Sequence, residues 1–280
     1  MIDPIVLRDV VERALAEDLG FSDLTSQLVI PEGARARLDL NAREDLVVAG
    51  AGVAAAVFRH CDPQCRIEMR SRDGERLQAG ASLGSVEGAA RALLSAERTA
   101  LNFLQHLSGI ATLTARYVER IAGTRAALLD TRKTTPGLRA LEKHAVRMGG
   151  GRNHRMRLDD GVLIKDNHIS TCGSIVAAVE RARAAAPLLI KIEVECDTLD
   201  QVREALAAGA DVILLDNMSL ADVRRAVVLA EGRVPLEASG GVRLDNIRDI
   251  AETGVDFISV GRITQSAPAV DIGADAHVHG

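Results

Sequence analysis

The sequence predicts an α/β protein whose second half forms a barrel. From Ala126 onward, short apolar runs that end in polar residues alternate with helical segments, and the last four runs are centred about 22 residues apart. Strand–helix units at this spacing predict parallel strands joined by right-handed crossovers. Glycines after these strands favour a barrel over an open sheet. The apolar content of 47% agrees with a globular chain that buries a sizeable core.

The first hundred residues mix helices with a predicted antiparallel sheet. Apolar residues at helical spacing predict a helix over 5–19, and alternation predicts a strand within 35–49. A short helix is predicted over 50–60, and glycine turns divide 65–88 into short strands. A longer amphipathic helix is predicted over 91–107.

The second half has six predicted strands with helices between the later ones. In barrels of this kind, the site lies at the carboxyl ends of the strands. The predicted strands span 126–130, 161–166, 188–195, 211–216, 234–239 and 255–260, and the predicted helices span 199–208, 220–230 and 243–253.

A dense basic cluster lies in residues 130–169, within a chain of net charge −5. A local small anion is the simplest reason for it, and a solvated basic face is the alternative. Thr135 and Pro136 predict the start of a helix that ends at the glycines 149–151. The candidate binding groups therefore lie in the flanking turns, around Arg132 and Lys165.

Residues 190–195 alternate between apolar and charged side chains. Lys191, Glu193 and Glu195 share one face of a strand, and the opposite face must be apolar to receive helices. The three charges are therefore predicted to point inward. A purely structural charged layer is the alternative, and Glu195 is the one nearest the mouth.

The turn at 239–241 is predicted to open a helix and to present backbone amides to a phosphate. Glu195 and Asp216 end neighbouring strands and could hold sugar hydroxyls, or Mg²⁺ through water. Together with the basic groups, they predict a site for a phosphorylated sugar and a carboxylate-bearing partner.

Composition argues against several other classes of protein. Five aromatic residues and a negative net charge disfavour nucleic-acid binding, and no apolar run approaches a membrane span. The four cysteines show no disulfide framework, and the acidic first segment is unlike a signal peptide, so a cytoplasmic location is expected. Cys61 and Cys65, beside His60, lack the second ligand pair of a metal site.

Long motifs carry a specific resemblance. The blocks DTRKTTPGLRALEKHAV, GGGRNHRMRLDDGVLIKDNHI, KIEVE, DVILLDNM, EASGGV and FISVGRIT occur in this order. They resemble the quinolinate phosphoribosyltransferase family. The resemblance implies an N-terminal α/β sandwich, 1–109 with the returning segment 268–280, and an irregular, incomplete α/β barrel over 110–267. It also implies a homodimer whose sites are completed across the interface, and it leaves open whether dimers assemble into a higher oligomer.

The resemblance also implies an activity and its residues. The family transfers phosphoribosyl from 5-phosphoribosyl-1-pyrophosphate to quinolinate, and releases CO2 and pyrophosphate, giving nicotinate mononucleotide for NAD synthesis with Mg²⁺. By resemblance, the catalytic residues are Lys133, Glu195 and Asp216. Quinolinate is bound by Thr131, Arg132, His154, Arg155, Lys165 and the partner subunit's Arg98. The phosphoribosyl group is bound by Lys133, Glu195, Asp216, Ser239, Gly240, Gly241 and Gly261, and Mg²⁺ is held indirectly by Glu195 and Asp216.

Three rival hypotheses remain open on the sequence. A paralogue associated with molybdate transport, or another phosphoribosyl-binding barrel, would share the fold but act on a different acid. An isomerase or aldolase barrel would need a Schiff-base lysine or a proton-shuttling base. A binding module would release no pyrophosphate. Gln265 departs from the family, where histidine is more common.

Overall fold

The computed structural model describes residues 2–279, which form two compact units. The first unit comprises residues 2–115, 134–150 and 263–279, and the second comprises 116–133 and 151–262. The central segment 134–150 therefore packs within the first unit. The domain boundaries expected from the sequence, 1–109 with 268–280 and 110–267, stay a prediction.

The helices follow the apolar periodicity of the sequence closely in most places. In chain order they are α1 (Pro4–Leu19), α2 (Leu24–Val29), α3 (Ala51–Cys61), α4 (Ala90–Arg120), α5 (Arg139–Met148), α6 (Asp166–Cys172), α7 (Ile175–Ala185), α8 (Leu199–Ala207), α9 (Leu220–Ala230), α10 (Ile247–Ala251) and α11 (Arg262–Gln265).

The strands fall into an antiparallel set, mostly early in the chain, and a parallel set. In chain order they are β1 (Arg35–Ala42), β2 (Leu46–Val47), β3 (Arg66–Met69), β4 (Arg76–Leu77), β5 (Ser82–Ala89), β6 (Ala127–Leu129), β7 (Val162–Ile164), β8 (Ile192–Cys196), β9 (Val212–Asp216), β10 (Leu236–Ser239), β11 (Phe257–Ser259) and β12 (Ile272–His279).

The first unit is built on a four-stranded antiparallel sheet in the order β12-β1-β5-β3. Alternate residues of β1 are buried, including Leu38 and Leu40, as the predicted alternation requires. Its other face carries Arg37, which pairs with Glu87 across the neighbouring strand. Helices and an antiparallel sheet in one unit confirm the predicted α/β class of the N-terminal part.

The second unit contains six parallel strands in the order β6-β11-β10-β9-β8-β7. Helices α7, α8 and α9 alternate with these strands and pack on them. Because the strands are covered, their central residues, such as Ile213 and Leu215, are buried. Six strands are fewer than the eight of a complete barrel, which confirms the predicted incomplete α/β barrel.

Two predicted helix starts are wrong. Thr135 does not cap α5, which begins at Arg139; instead, the Thr135 N–H donates to the buried Glu142 carboxylate at 3.1 Å. The predicted helix over 243–253 shortens to α10. Before it, Asn246 donates to the Gly241 carbonyl and accepts from the Arg243 N–H, and these bonds stabilise a non-helical turn.

The predicted helix over 91–107 is longer than expected and continues as α4 to Arg120. Within residues 2–279, no helix, α4 included, is apolar enough over a sufficient length to cross a bilayer.

Two helical glycines form a matched pair for testing the packing of the first unit. A Cβ on Gly109 in α4 would lie 2.1 Å from the carbonyl oxygen of Pro268, in the returning segment. A Cβ on Gly52 in α3 would meet nothing within 4 Å. We expect Gly109→Ala to destabilise by about 1–3 kcal/mol, because backbone atoms must move.

Gly52→Ala serves as the control and should stabilise by about 0.5–1 kcal/mol, because alanine is the better helix former. Urea denaturation of both variants measures the two free energies. Equal effects of the same sign would contradict the close approach of α4 to Pro268.

Candidate active site

A cavity of about 580 Å³ lies in the second unit, at the carboxyl ends of its parallel strands. This is the edge where an α/β barrel places its active site. The lining residues are Thr131, Arg132, Lys133, His154, Arg155, Leu163, Lys165, Glu195, Leu214, Asp216, Asn217, Glu237, Ser239, Gly240, Gly241 and Ser259.

The structure brings together all of the predicted site residues except Arg98 and Gly261. Arg98 belongs to the first unit, on α4, and its side chain is exposed. Gly261 lies beside the cavity wall, where a Cβ would approach Cδ of Lys133 to 2.8 Å. Gly261 thus leaves room for the lysine, whereas its predicted phosphate contact stays a prediction, as do the roles of the other residues.

One side of the cavity is basic. Strand β6 ends at Leu129, and the turn that follows is closed by a hydrogen bond of 3.0 Å from the Lys133 N–H to Oγ1 of Thr131. Burial, followed by the positive charge of Arg132, lowers the pKa of Arg155. Two guanidinium groups this close repel each other, so an anion bound between them would relieve the repulsion.

Asp130 ties the basic turn to the neighbouring loop. Its carboxylate is fully buried and accepts hydrogen bonds from Nδ2 of Asn153 at 2.5 Å and from the His154 N–H at 2.9 Å. The Arg155 side chain is held in turn by a bond of 2.8 Å from Nη1 to the Gly161 carbonyl. The basic groups are therefore positioned before any ligand binds.

The cavity is also lined by acids. Glu195 is the next-to-last residue of β8 and is partly exposed. Its Oε2 lies 2.5 Å from Nζ of Lys165. Asp216, the last residue of β9, accepts from Nδ2 of Asn217 at 2.7 Å. Each carboxylate thus uses one oxygen for a protein partner. A second carboxylate oxygen on each residue suits Mg²⁺, which prefers oxygen ligands and keeps several waters.

The turn at Ser239-Gly240-Gly241 packs against Asn217. A Cβ on Gly240 would lie 2.1 Å from Oδ1 of Asn217, so this glycine is required by packing within the protein. Gly241 has nothing within 4 Å of its Cβ position and lines the cavity. The backbone at Gly241 is therefore open to a ligand, although no helix begins there.

A layer of charge lies at the cavity wall, where His154 and Glu237 line the cavity and Glu193 contacts His154. Nε2 of His154 is 2.9 Å from Glu193 and 3.6 Å from Glu237, and both carboxyl groups are buried. The predicted inward face of β8 is confirmed for Glu193 and Glu195 but is wrong for Lys191. Lys191 precedes the strand and is exposed.

Glu237 is the member of this layer that the sequence analysis missed. It stands two residues before Ser239 on β10, so strand alternation places both on one face. The same alternation that identified Glu193 and Glu195 as inward-facing could also have identified Glu237. Burial, together with the negative charge of Glu193, raises the pKa of the Glu237 carboxyl to about 7.

Taken together, the cavity presents opposed charges to one ligand space. Arginine and lysine groups bind carboxylates and phosphates, and arginine can do so with two parallel hydrogen bonds. The acids of the lining stabilise positive charge and accept hydrogen bonds from hydroxyl groups. Such a site suits an anionic acid and a phosphorylated sugar.

Comparison with known proteins decides the family. The profile of the quinolinate phosphoribosyl transferase N-terminal domain matches residues 23–108, and that of the C-terminal domain matches 110–275. The chain belongs to the quinolinate phosphoribosyl transferase family. A nicotinate-nucleotide pyrophosphorylase [carboxylating] of Mycobacterium leprae is 47% identical over 274 residues, with 96% of each chain covered.

Other relatives of the family agree. A probable nicotinate-nucleotide pyrophosphorylase [carboxylating] of Bacillus subtilis is 44% identical, covering 96% of this chain and 93% of that protein. The solved nicotinate-nucleotide pyrophosphorylase of Francisella tularensis superposes with a TM-score of 0.95 at 40% identity, covering 99% of this chain and 98% of that one. The family assignment therefore extends to the whole two-part fold.

The raised pKa of Glu237 predicts a pH-dependent stability. The folded state holds this proton up to pH about 7, whereas the unfolded chain releases it near the ordinary value of 4.5. The contribution to stability therefore falls as pH rises from 4.5 through 7. We expect Glu237→Gln to stabilise the protein more at pH 8 than at pH 4.5, by up to roughly 3 kcal/mol.

Chemical denaturation across this pH range, with wild type and variant side by side, measures the difference. Glu32→Gln, in an exposed turn, is the control and should follow wild type. Parallel profiles for Glu237→Gln and wild type would show that Glu237 titrates normally.

Proposed function

We propose that the chain transfers the phosphoribosyl group of 5-phosphoribosyl-1-pyrophosphate to quinolinate with loss of CO2, and forms nicotinate mononucleotide and pyrophosphate. The observation that carries the proposal is one cavity lined by both basic and acidic groups. The carboxylating relatives in the same family support the same reaction.

The basic side is proposed to hold quinolinate. Two carboxylates need more positive charge than one, and Arg132, Arg155 and Lys165 supply three cations. Thr131 adds a hydroxyl at the same wall. His154 contacts the acid layer through Nε2 and accepts from the Arg155 N–H through Nδ1, so it contributes by holding the loop as well as by lining the wall.

The phosphoribosyl group is proposed to lie between the open turn and the acids. Gly241 presents backbone to its 5-phosphate, and Glu195 and Asp216 accept hydrogen bonds from the ribose hydroxyls. Lys133 faces the pyrophosphate. Mg²⁺, held through water by Glu195 and Asp216, would supply charge neutralisation for the pyrophosphate.

The chemistry needs positioning and charge rather than a protein nucleophile. The quinolinate nitrogen forms a bond to C1 of the ribose, while the bond from C1 to pyrophosphate breaks and its electrons leave with the pyrophosphate. Glu195 and Asp216 stabilise the positive charge that develops on the ribose. The bond to the 2-carboxylate then breaks, its electron pair stays on the ring beside the positive nitrogen, and a proton replaces the released CO2.

The direct test is incubation of the protein with quinolinate, 5-phosphoribosyl-1-pyrophosphate and Mg²⁺. We expect nicotinate mononucleotide, CO2 and pyrophosphate in equal amounts. Replacing quinolinate by nicotinate is the control and should give little product, because nicotinate lacks the second carboxylate. Pyrophosphate release without CO2 would indicate a different acid substrate. The cytoplasmic location and any assembly beyond a dimer stay predictions.

We further propose that two copies of the chain share each site. Arg98 is exposed on α4, outside the cavity lining, although the family resemblance assigns its charge to quinolinate. Both statements hold if each copy donates Arg98 to the site of its partner. The interface would then repeat symmetrically, and each dimer would carry two sites.

Mixed dimers test this arrangement. Arg98→Ala and Lys133→Ala should each remove most activity alone, because both sites of each homodimer are defective. In a hybrid, one site collects both changes and the other is intact. Random mixing gives about half hybrids with one working site each, so activity should recover to about a quarter of wild type.

The two variants should be co-expressed with different tags, and the hybrid isolated through both. Co-expression of Lys133→Ala with Lys133→Ala under the same two tags is the matched control and should stay inactive. A hybrid no more active than its parents would assign Arg98 to its own subunit.

A further inference from the structure

The acid layer at the cavity wall has a feature that the proposed reaction does not use. His154, Glu193 and Glu237 offer ligand atoms that all lie within 4.8 Å of one another. Oε1 of Glu193 and Oε1 of Glu237 are buried and have no hydrogen-bond partner. Two buried carboxylates this close repel each other strongly unless a cation or a proton lies between them.

The hydrogen bonds of His154 decide between a cation and a proton. The Arg155 N–H donates to Nδ1 of His154 at 2.7 Å, so Nδ1 carries no proton. The ring proton of the imidazole is therefore on Nε2, where it points at Glu193 at 2.9 Å. An Nε2 that donates a hydrogen bond is not a metal ligand. Without the histidine, a cation would have only the two carboxylates as ligands, so a shared proton is the simpler way to neutralise the layer.

Glu237 is the group best placed to keep that proton. It is only 2% exposed, and Glu193 faces it from β8. His154 faces it from the loop, and the Ser259 hydroxyl of β11 donates to it. On β9 its register partner is Leu214, which is apolar. The His154 donor lies closer to Glu193 than to Glu237, at 2.9 Å against 3.6 Å, so Glu237 has the weaker hydrogen-bond support for a negative charge.

The position of Glu237 links this proton to the ligand. Glu237 lines the same cavity as Arg132, Arg155 and Lys165, which are the groups proposed to bind the two carboxylates of the substrate. An ionised Glu237 would add its charge to the acids Glu195 and Asp216 of the same lining and would oppose a bound dianion. A neutral Glu237 adds no negative charge to the lining, so the basic groups attract a dianion more strongly.

We propose that Glu237 is a specificity-determining residue, which admits a dicarboxylate substrate as a neutral carboxylic acid and opposes that substrate when ionised. The inference rests on the proposed function, because it concerns the acid-binding side of the same site. It adds a condition to the reaction: the acid substrate binds together with a proton on the protein.

The proposal predicts the direction in which the affinity for a dicarboxylate changes with pH. Below pH 7 the proton is already present, and the affinity for a dicarboxylate should be constant. Above pH 7 the ligand must bring a proton with it, so the dissociation constant should rise by up to about tenfold for each pH unit. In Glu237→Gln the neutral group is permanent. The affinity of this variant should therefore be independent of pH between 6 and 8.5.

Calorimetry with phthalate provides the test, because phthalate carries both carboxylates, has no ring nitrogen to react and stays ionised over this range. Titrations of the homogeneous full-length protein in two buffers of different ionisation enthalpy give the number of protons taken up. We expect wild type to approach one proton per phthalate at pH 8, and Glu237→Gln to take up none from this group.

A second variant separates this effect from a purely structural one. Glu193→Gln keeps an acceptor for His154 but removes the negative charge that holds the proton on Glu237. The pH at which phthalate affinity begins to fall should therefore move downward in Glu193→Gln. A residue that merely supports the fold would shift affinity equally at all pH values.

Four results would overturn the inference. They are a wild-type affinity that does not change with pH, the same pH dependence in wild type and Glu237→Gln, proton release on binding, or stoichiometric metal in the purified protein that Glu237→Gln loses. The proposed function fails separately. If the protein makes nicotinate mononucleotide but shows any of these four results, the proposed function stands and the role of Glu237 is refuted. If the protein does not make nicotinate mononucleotide, the proposed function itself is refuted.

Discussion

The site depends on one constraint, which is that opposed charges must neutralise each other at the edge of a buried parallel sheet. Parallel pairing brings the carboxyl ends of β6 to β11 to a common edge. The polar residues at these ends are therefore brought close together by the strand topology, even where their charges repel. The pairs are specific: Lys165 meets Glu195, and His154 meets Glu193. Each pair fixes a side chain on a rigid element. The cavity is therefore organised before a ligand enters, which is what charge-based catalysis requires.

Much of this arrangement could be predicted because two periodicities were clear. Period-two alternation identified β1 and the inward face of β8, and regular strand–helix spacing identified the parallel sheet. The residues at the strand ends then followed from topology alone. The resemblance to the family added the role of each residue, which no periodicity contains. Arg132 and Arg155 could be placed near each other, for example, but not assigned to a particular acid.

The parts that could not be predicted depend on contacts distant in sequence. Lys191 continues the alternation of β8 but falls outside the strand, because register with β7 starts at Ile192 and register with β9 starts at Glu193. The expected cap at Thr135 was replaced by a bond to Glu142, seven residues further on. Glu237 lay within a short apolar run and carried no local signal of a raised pKa. The raised pKa arises first from burial and then from the negative charge of Glu193, on another strand.

The pairing of β12 with β1 has a consequence for biosynthesis. Eight residues of β1 are in register with β12, from Arg35 with His279 to Ala42 with Ile272. The whole parallel sheet is encoded between these two strands. On the ribosome, β1 therefore emerges with one edge unpaired and keeps it until the barrel strands have been translated. An open edge of this length is a template for intermolecular pairing. Slow translation of the barrel strands would prolong the exposure of this edge. A chaperone bound near β1 would reduce intermolecular pairing during that time.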